Sequence, residues 1–180
     1  MAEAGVSSSE VHTASHVMNR IDVSTGVPFD DFTSRFEHAA PAFDAQFFQQ
    51  LIETGGSWAD VQSAVDRMAP HQLIRYATIE ATAMMALAGH TTKVVEYLLG
   101  NHVIAESMFR HDPRALLYAP LRVLIFSDAQ GDAVFSLDQP STAFGSLGID
   151  EVTRVGVGLD DKVAALLQFL GVDASFPLPV

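Results

Sequence analysis

An α+β domain, built as one mainly antiparallel sheet with helices packed on one face, is the fold class this sequence predicts. Three observations carry the prediction. Strand-like and helical stretches come in mixed order. Several neighbouring strand-like stretches are joined too briefly for the helical crossovers that parallel pairing requires. Six of the twelve phenylalanines fall between Phe29 and Phe48, largely at helical spacing, and a stripe of that size needs a large apolar partner such as a sheet.

The elements follow in order. Residues 1–10 are small and polar and read as a tail, 11–172 as a single domain, and 173–180, with two prolines, as a second tail. Loose alternation from Val11 to Val23 predicts a first strand. Thr25-Gly26-Val27-Pro28 predicts a turn into a helix, with Pro28 suited to the first turn and Asp30 and Asp31 to its positive end. Phe29, Phe32 and Phe36 mark that helix. Phe43, Phe47, Phe48, Leu51 and Ile52 draw a second apolar stripe. Ser57-Trp58-Ala59-Asp60 has the form of a capping box and opens a third helix with Val61, Val65 and Met68 inward, which Pro70 helps to end. Leu73–Ile79 and Val94–Leu99 read as strands, with 81–90 unassigned between them. Pro120–Phe126 and Ala133–Leu137 form a hairpin around Asp128 and Gly131. Ser141–Leu147 is a short helix or loop. Asp160 and Asp161 open a last helix that turns Val163, Leu166, Leu167 and Leu170 inward and closes at Gly171. The hairpin strands are apolar on both faces, which points to a homodimer.

Composition narrows the function. A chain of 180 residues suffices for one core that buries about 70% of its unfolded surface. With 48% hydrophobic and 18% charged residues it is no disordered chain. It has no cysteine, so disulfides, thiolate metal sites and a cysteine nucleophile are excluded and a reducing cytoplasm is the expected setting. The net charge of −12 argues against nucleic acid and anionic membrane as partners, both of which require a basic footprint. No apolar run reaches the roughly 20 residues of a membrane span, and the N-terminus lacks the pattern of a signal peptide. Gly145–Gly148 lacks the spacing of a dinucleotide loop, and neither a phosphate-binding Gly-Lys-Ser nor a Gly-x-Ser-x-Gly elbow is present.

An ordered set of short motifs sets the second half of the chain apart: a strand ending in Gly100-Asn101, then Met108, Ala115, Tyr118-Ala119-Pro120-Leu121-Arg122, Asp128 and Gly131, Asp138-Gln139-Pro140-Ser141, and Leu159-Asp160-Asp161-Lys162. From Val94 to Leu170 this set resembles the bacterial family known as domain of unknown function 302. The resemblance implies a compact α+β domain with a tendency to dimerise and transfers no catalytic residues. The sequence departs from the family at His102, where proline usually follows Gly-Asn.

Three constellations offer chemistry. Asn101 is a good helix cap, and His102, Glu106 and Arg110 follow at intervals of four on one helical face. At the positive end of a helix the ring of His102 is held neutral and available as a base, with Glu106 orienting it; the same pattern also fits an exposed face with a Glu106–Arg110 ion pair. Arg122 stands alone in an apolar strand, so its guanidinium calls for a carboxylate of the fold, with Asp138 a candidate, or of a ligand. Tyr76, Tyr97 and Tyr118 offer hydroxyls to a ligand or to buried carbonyls. His12 and His16, about 13 Å apart on a strand, cannot share one ion, and no metal or other cofactor is expected. Three readings stay open. One is a dimeric module binding a small organic, anionic ligand through Asn101, Arg110, Tyr118, Arg122 and Asp138. Another is a small acid–base enzyme of isomerase, lyase or cyclase type, using His102 and Glu106 with Arg122. The last is a purely structural or interaction role.

Overall fold

A computed structural model describes residues 10–176. Five strands form one sheet in the order β1-β5-β4-β3-β2, antiparallel in every pair. They are β1 (Arg20–Pro28), β2 (Ile74–Glu80), β3 (Val94–Gly100), β4 (Leu121–Ser127) and β5 (Asp132–Asp138). Helices α1 (Phe29–Ala39), α2 (Ala45–Glu53) and α3 (Trp58–Met68) separate β1 from β2. A short α4 (Thr82–Ala86) fills the unassigned link between β2 and β3. Helix α5 (His102–Phe109) and a 3₁₀ turn (Pro113–Leu117) lead into the β4–β5 hairpin, and α6 (Pro140–Gly145) and α7 (Asp150–Phe169) end the fold. The α+β class with its antiparallel sheet is as the sequence predicts.

The core follows from strand alternation. Val95, Tyr97 and Leu99 of β3, Leu121, Val123 and Ile125 of β4, and Ala133, Phe135 and Leu137 of β5 are buried on one face. They meet Phe29, Phe32 and Phe36 of α1 and Val163, Leu166 and Leu167 of α7. Phe36 packs on the rings of Tyr97 and Phe135 at 4.9 and 6.1 Å between centroids. Each such ring contributes about 1.5–3 kcal/mol by burial. A second cluster joins Phe48 of α2 and Ala64 and Val65 of α3 to Ile74. The capping box is present: Ser57 Oγ accepts from Asp60 N, and Asp60 accepts from Ser57 N.

Several expectations are corrected. The first strand begins at Arg20, and residues 11–19 carry no regular structure. Its partner β5 ends at Asp138, opposite Arg20; Asn19 still bonds to Gln139 and Thr142, but there the partner chain turns into α6 and the ladder stops. The turn expected at Thr25–Pro28 is an irregularity inside β1: Gly26 adopts φ +64°, the register shifts between Ser24 and Pro28, and Pro28 stays opposite Asp132. Glycine alone takes that φ readily. Ile52, expected on the inner stripe of α2, is exposed. The last helix starts ten residues before Asp160, with Asp150 and Glu151 in its first turn. Residues 173–176 continue past the expected boundary with Ala174 and Phe176 packed on the core. The tail expected over 1–10 lies, Glu10 apart, outside the described residues, as do 177–180.

Asp160 has a different part from the one expected. It is buried in the middle of α7, where its carboxylate accepts hydrogen bonds from Gln139 Nε2 at 2.8 Å and Ser141 N at 2.9 Å. Two motifs some 20 residues apart in the sequence thus meet, and α7 clamps the turn that leaves β5. Gly156 lets this happen: a Cβ there lies 3.1 Å from Ser141 Cα and 3.2 Å from Pro140 O, backbone atoms that cannot step aside.

Two glycines in one helix therefore respond with opposite signs. Gly156→Ala is expected to lose about 1–3 kcal/mol through overpacking. Gly158→Ala, whose Cβ meets nothing within 4 Å, is expected to gain about 0.5–1 kcal/mol from helix propensity. Urea denaturation of both variants measures the difference.

Candidate functional site

The corner at the end of β3 is organised by Gly100 and Asn101. A Cβ on Gly100 would stand 3.1 Å from Tyr76 Cε2 and 3.3 Å from Pro120 Cβ, so its absence lets β2 and the entry to β4 close on β3. Asn101 caps α5, its Oδ1 accepting from Val103 N at 2.8 Å and Ile104 N at 3.2 Å. Its Nδ2 donates to Gln72 O at 2.9 Å, across a backbone whose Gln72 holds φ 58°. With both ends of its amide engaged and 8% exposure, Asn101 holds the corner together and has little left for a ligand.

His102 is positioned by Tyr76. Tyr76 Oη and His102 Nδ1 lie 2.5 Å apart, and the imidazole packs among three aromatic rings, those of Phe43, Phe48 and Tyr76, with centroids 5.1–5.5 Å away. Burial lowers the imidazole pKa from the ordinary 6.5, so the ring is held neutral. Burial also pushes the Tyr76 hydroxyl well above its usual value, keeping it protonated. Glu106, expected to orient His102, turns instead to Arg110, whose Nε donates to Oε1 at 3.1 Å while Nη2 pairs with Oε2. An i,i+4 spacing allows either partner, and the flexible guanidinium offers a bidentate fit that the packed imidazole does not.

A second concavity lies at the start of β4. It has a volume of about 370 Å³ and is lined among others by Met18, Leu98, Leu116, Tyr118, Arg122 and Asp138. Three residues singled out in the sequence therefore come together there. Val123 lies opposite Leu137, and one step further along the same ladder Asp138 stands across from Arg122, with Arg20 on its other side. The Tyr118 hydroxyl is 3.4 Å from His16 Nε2 and receives a bond from Ser146 Oγ at 3.3 Å.

Arg122 is not buried as its apolar neighbours in sequence imply. Its side chain is 78% exposed and pairs through Nε with Glu96 Oε1 at 2.8 Å. Glu96, Leu98, Arg122, Leu124 and Phe126 alternate with the residues that pack on α1 and α7, so the alternation that buries Leu121 and Val123 turns Arg122 outward. The guanidinium that does sit inside is Arg75 of β2, 17% exposed. It pairs with Glu37 at 3.7 Å, donates to Thr78 Oγ1 at 2.6 Å and lies over the ring of Tyr97, whose hydroxyl donates to Glu37 at 2.9 Å.

The structure thus divides the predicted residues into two neighbouring groups on either side of the end of β3. One holds Asn101 and His102, with the Glu106–Arg110 pair further along α5; the other holds Tyr118, Arg122 and Asp138. Tyr76 as the partner of His102 and Arg20 beside Asp138 were missed, because both contacts depend on strand register. A further groove of about 920 Å³, between α1, the turn after α3 and the end of α7, is lined by Arg35, His38, His71 and Phe169 and by none of the predicted residues. Among the described residues no cluster of three His, Asp or Glu stands close enough to hold a metal ion, and no helix is long and apolar enough to cross a membrane.

Comparison with known proteins agrees with this architecture. The family model described as "Domain of unknown function DUF302" matches residues 57–170, from the cap of α3 to the end of α7. The crystal structure of an uncharacterized conserved DUF302 protein from Bacillus stearothermophilus is similar at a TM-score of 0.56 and 14% identity, over 84% of this chain and 95% of that one. At that identity the likeness concerns the fold alone. No curated protein matches by sequence.

The neutral, packed imidazole has a consequence for stability. Between its lowered folded-state pKa and 6.5 the unfolded chain takes up a proton that the folded chain refuses. This contribution is therefore complete above pH 6.5 and declines as the pH falls below it. Chemical denaturation between pH 7 and pH 5 is expected to show a decline that His102→Gln reduces. NMR titration is expected to place the His102 midpoint below 6.5.

Proposed function

The chain belongs to the family of the domain of unknown function DUF302, and from that premise we propose that it is a homodimeric module that binds a small organic acid in the cleft at the start of β4. The observation that carries the reading is the convergence of Tyr118, Arg122 and Asp138 on one concavity with an apolar floor. Glu96 stands 2.8 Å from Nε of Arg122, whose side chain is 78% exposed, and the fork of a guanidinium suits a carboxylate. The Tyr118 hydroxyl offers a further hydrogen bond, Leu98, Leu116 and Met18 take an apolar body, and Asp138 accepts from a hydroxyl or ammonium group on the same ligand. A cavity of this size fits a metabolite rather than a peptide.

The dimer in this reading forms through the sheet face turned away from α1 and α7. Leu98, Leu124 and Phe126 there are half-buried and Val134 is buried, on the face turned away from α1 and α7. Glu96 and Arg122, with Asp22 and Arg20 further along, supply charges of both signs on the same face, which a second copy complements on rotation. The reading places the protein in the cytoplasm, where a cysteine-free chain carries no thiol to be kept reduced.

A screen of small carboxylates by thermal shift, followed by calorimetry of those that stabilise, tests the binding. Arg122→Gln is expected to weaken a binding carboxylate at least tenfold, because a charged hydrogen bond is lost, and to leave the melting temperature almost unchanged. Tyr118→Phe should weaken it severalfold. Failure of every carboxylate to stabilise the wild type would sink the binding proposal. Light scattering is expected to report a dimer that Phe126→Asp converts to a monomer; a monomeric wild type sinks that part.

A further inference from the structure

The groove between α1, the turn after α3 and the end of α7 has a volume of about 920 Å³ and shares no residue with the β4 cleft. Its charge runs against that of the chain. Acids outnumber bases by 22 to 10, yet among the described residues no Asp or Glu lines the groove, while Arg35, His38 and His71 do. Arg35 is exposed and has neither an ion pair nor a hydrogen bond among the described residues. Asp31 stands four residues earlier on α1, a spacing at which helical ion pairs form, and Arg35 is not bound to it. The ring of His38 is fixed. A carbonyl only accepts, so Nδ1 carries a proton and donates it to Ser34 O at 2.8 Å. The apolar part of the wall is open as well: Phe169 is 66% exposed and rests against the ring of His71 at 4.3 Å between centroids.

We infer that this groove is a ligand site separate from the β4 cleft, and that it takes an aromatic carboxylate carrying a single negative charge. The unpaired guanidinium of Arg35 supplies a planar fork for the carboxylate. Phe169, His71 and Pro70, all in the wall, cover the flat apolar body and lose their own contact with water in doing so. The number of charges follows from the helices that end here. Helices α1, α3 and α7 all stop at this groove, and their last carbonyls make it partly negative. One charge met by Arg35 is accommodated; a second is opposed, so a phosphate monoester fits less well than a carboxylate. The volume lies within the range of small-molecule sites and leaves room for fused rings.

The test uses the full chain with 2-naphthoate as the probe and 2-naphthamide, the same rings without the charge, as its control. Calorimetry is expected to show naphthoate bound about fivefold more tightly than the amide. Arg35→Gln should abolish that preference by weakening naphthoate alone, and Phe169→Ala should weaken both compounds alike. Both side chains are exposed, so the melting temperature is expected to stay within about a degree or two of the wild type. In an NMR titration the ring signals of Phe169, His71 and His38 should move with naphthoate. A preference that survives Arg35→Gln overturns the inference, as does naphthoate that binds no better than the amide. A titration that moves Tyr118 and leaves Phe169 and His71 still overturns it too, because the anion has then gone to the β4 cleft. No binding of either compound leaves Arg35 and His38 merely to complement the end of α1, and the site is gone. None of these results depends on whether small carboxylates bind at Arg122.

Discussion

The packing of α1 and α7 on one face of the sheet is the constraint from which the rest of the molecule follows. Phe29, Phe32 and Phe36 from the first helix and Val163, Leu166 and Leu167 from the last close over β3, β4 and β5. Once those rings claim the inner positions, strand alternation leaves no choice for the outer ones. Leu121, Val123 and Ile125 point in; Arg122, Leu124 and Phe126 point out. The exposure of Arg122, its pairing with Glu96 and its place at the rim of the cleft are all consequences of that one decision.

The same packing needs α7 to be long. Its first half carries Gly156 and Gly158, poor helix formers, and a reading by propensity starts the helix after them. Gly156 stays helical because it is the point of closest approach to α6, where any side chain would collide with backbone. Four residues later Asp160 holds the backbone of Ser141 and the side chain of Gln139. A helix whose glycines look like a break is thus held by a close approach that Gly156 permits, together with one buried carboxylate.

The two candidate places share this framework and differ in chemistry. At the start of β4, outward-facing charges meet an apolar floor and a tyrosine hydroxyl, a combination suited to an organic acid. Across the end of β3, a histidine sits among aromatic rings with its partner tyrosine, and its neutral state follows from burial. Gly100 separates the two, pressed by Tyr76 from one strand and by Pro120 ahead of the other, so changes at that glycine reach both.

Much of this was legible in the chain itself. The antiparallel α+β class, the aromatic stripe of α1, the capping box at Ser57, the cap at Asn101 and the hairpin around Asp128 and Gly131 are local signals. They rest on spacing and on the few side chains that suit a given backbone, and spacing is a property of the sequence. What only the tertiary structure decided was which residues meet across strands and between helices. Tyr76 finds His102 through a kinked register between β2 and β3, Arg75 takes the half-buried, paired position that the neighbours of Arg122 seemed to demand, and Asp160 reaches back to Ser141. Such pairings are set by register and by the face each strand turns to the helices. A one-residue shift reverses every strand pairing, and no local pattern of residues records it.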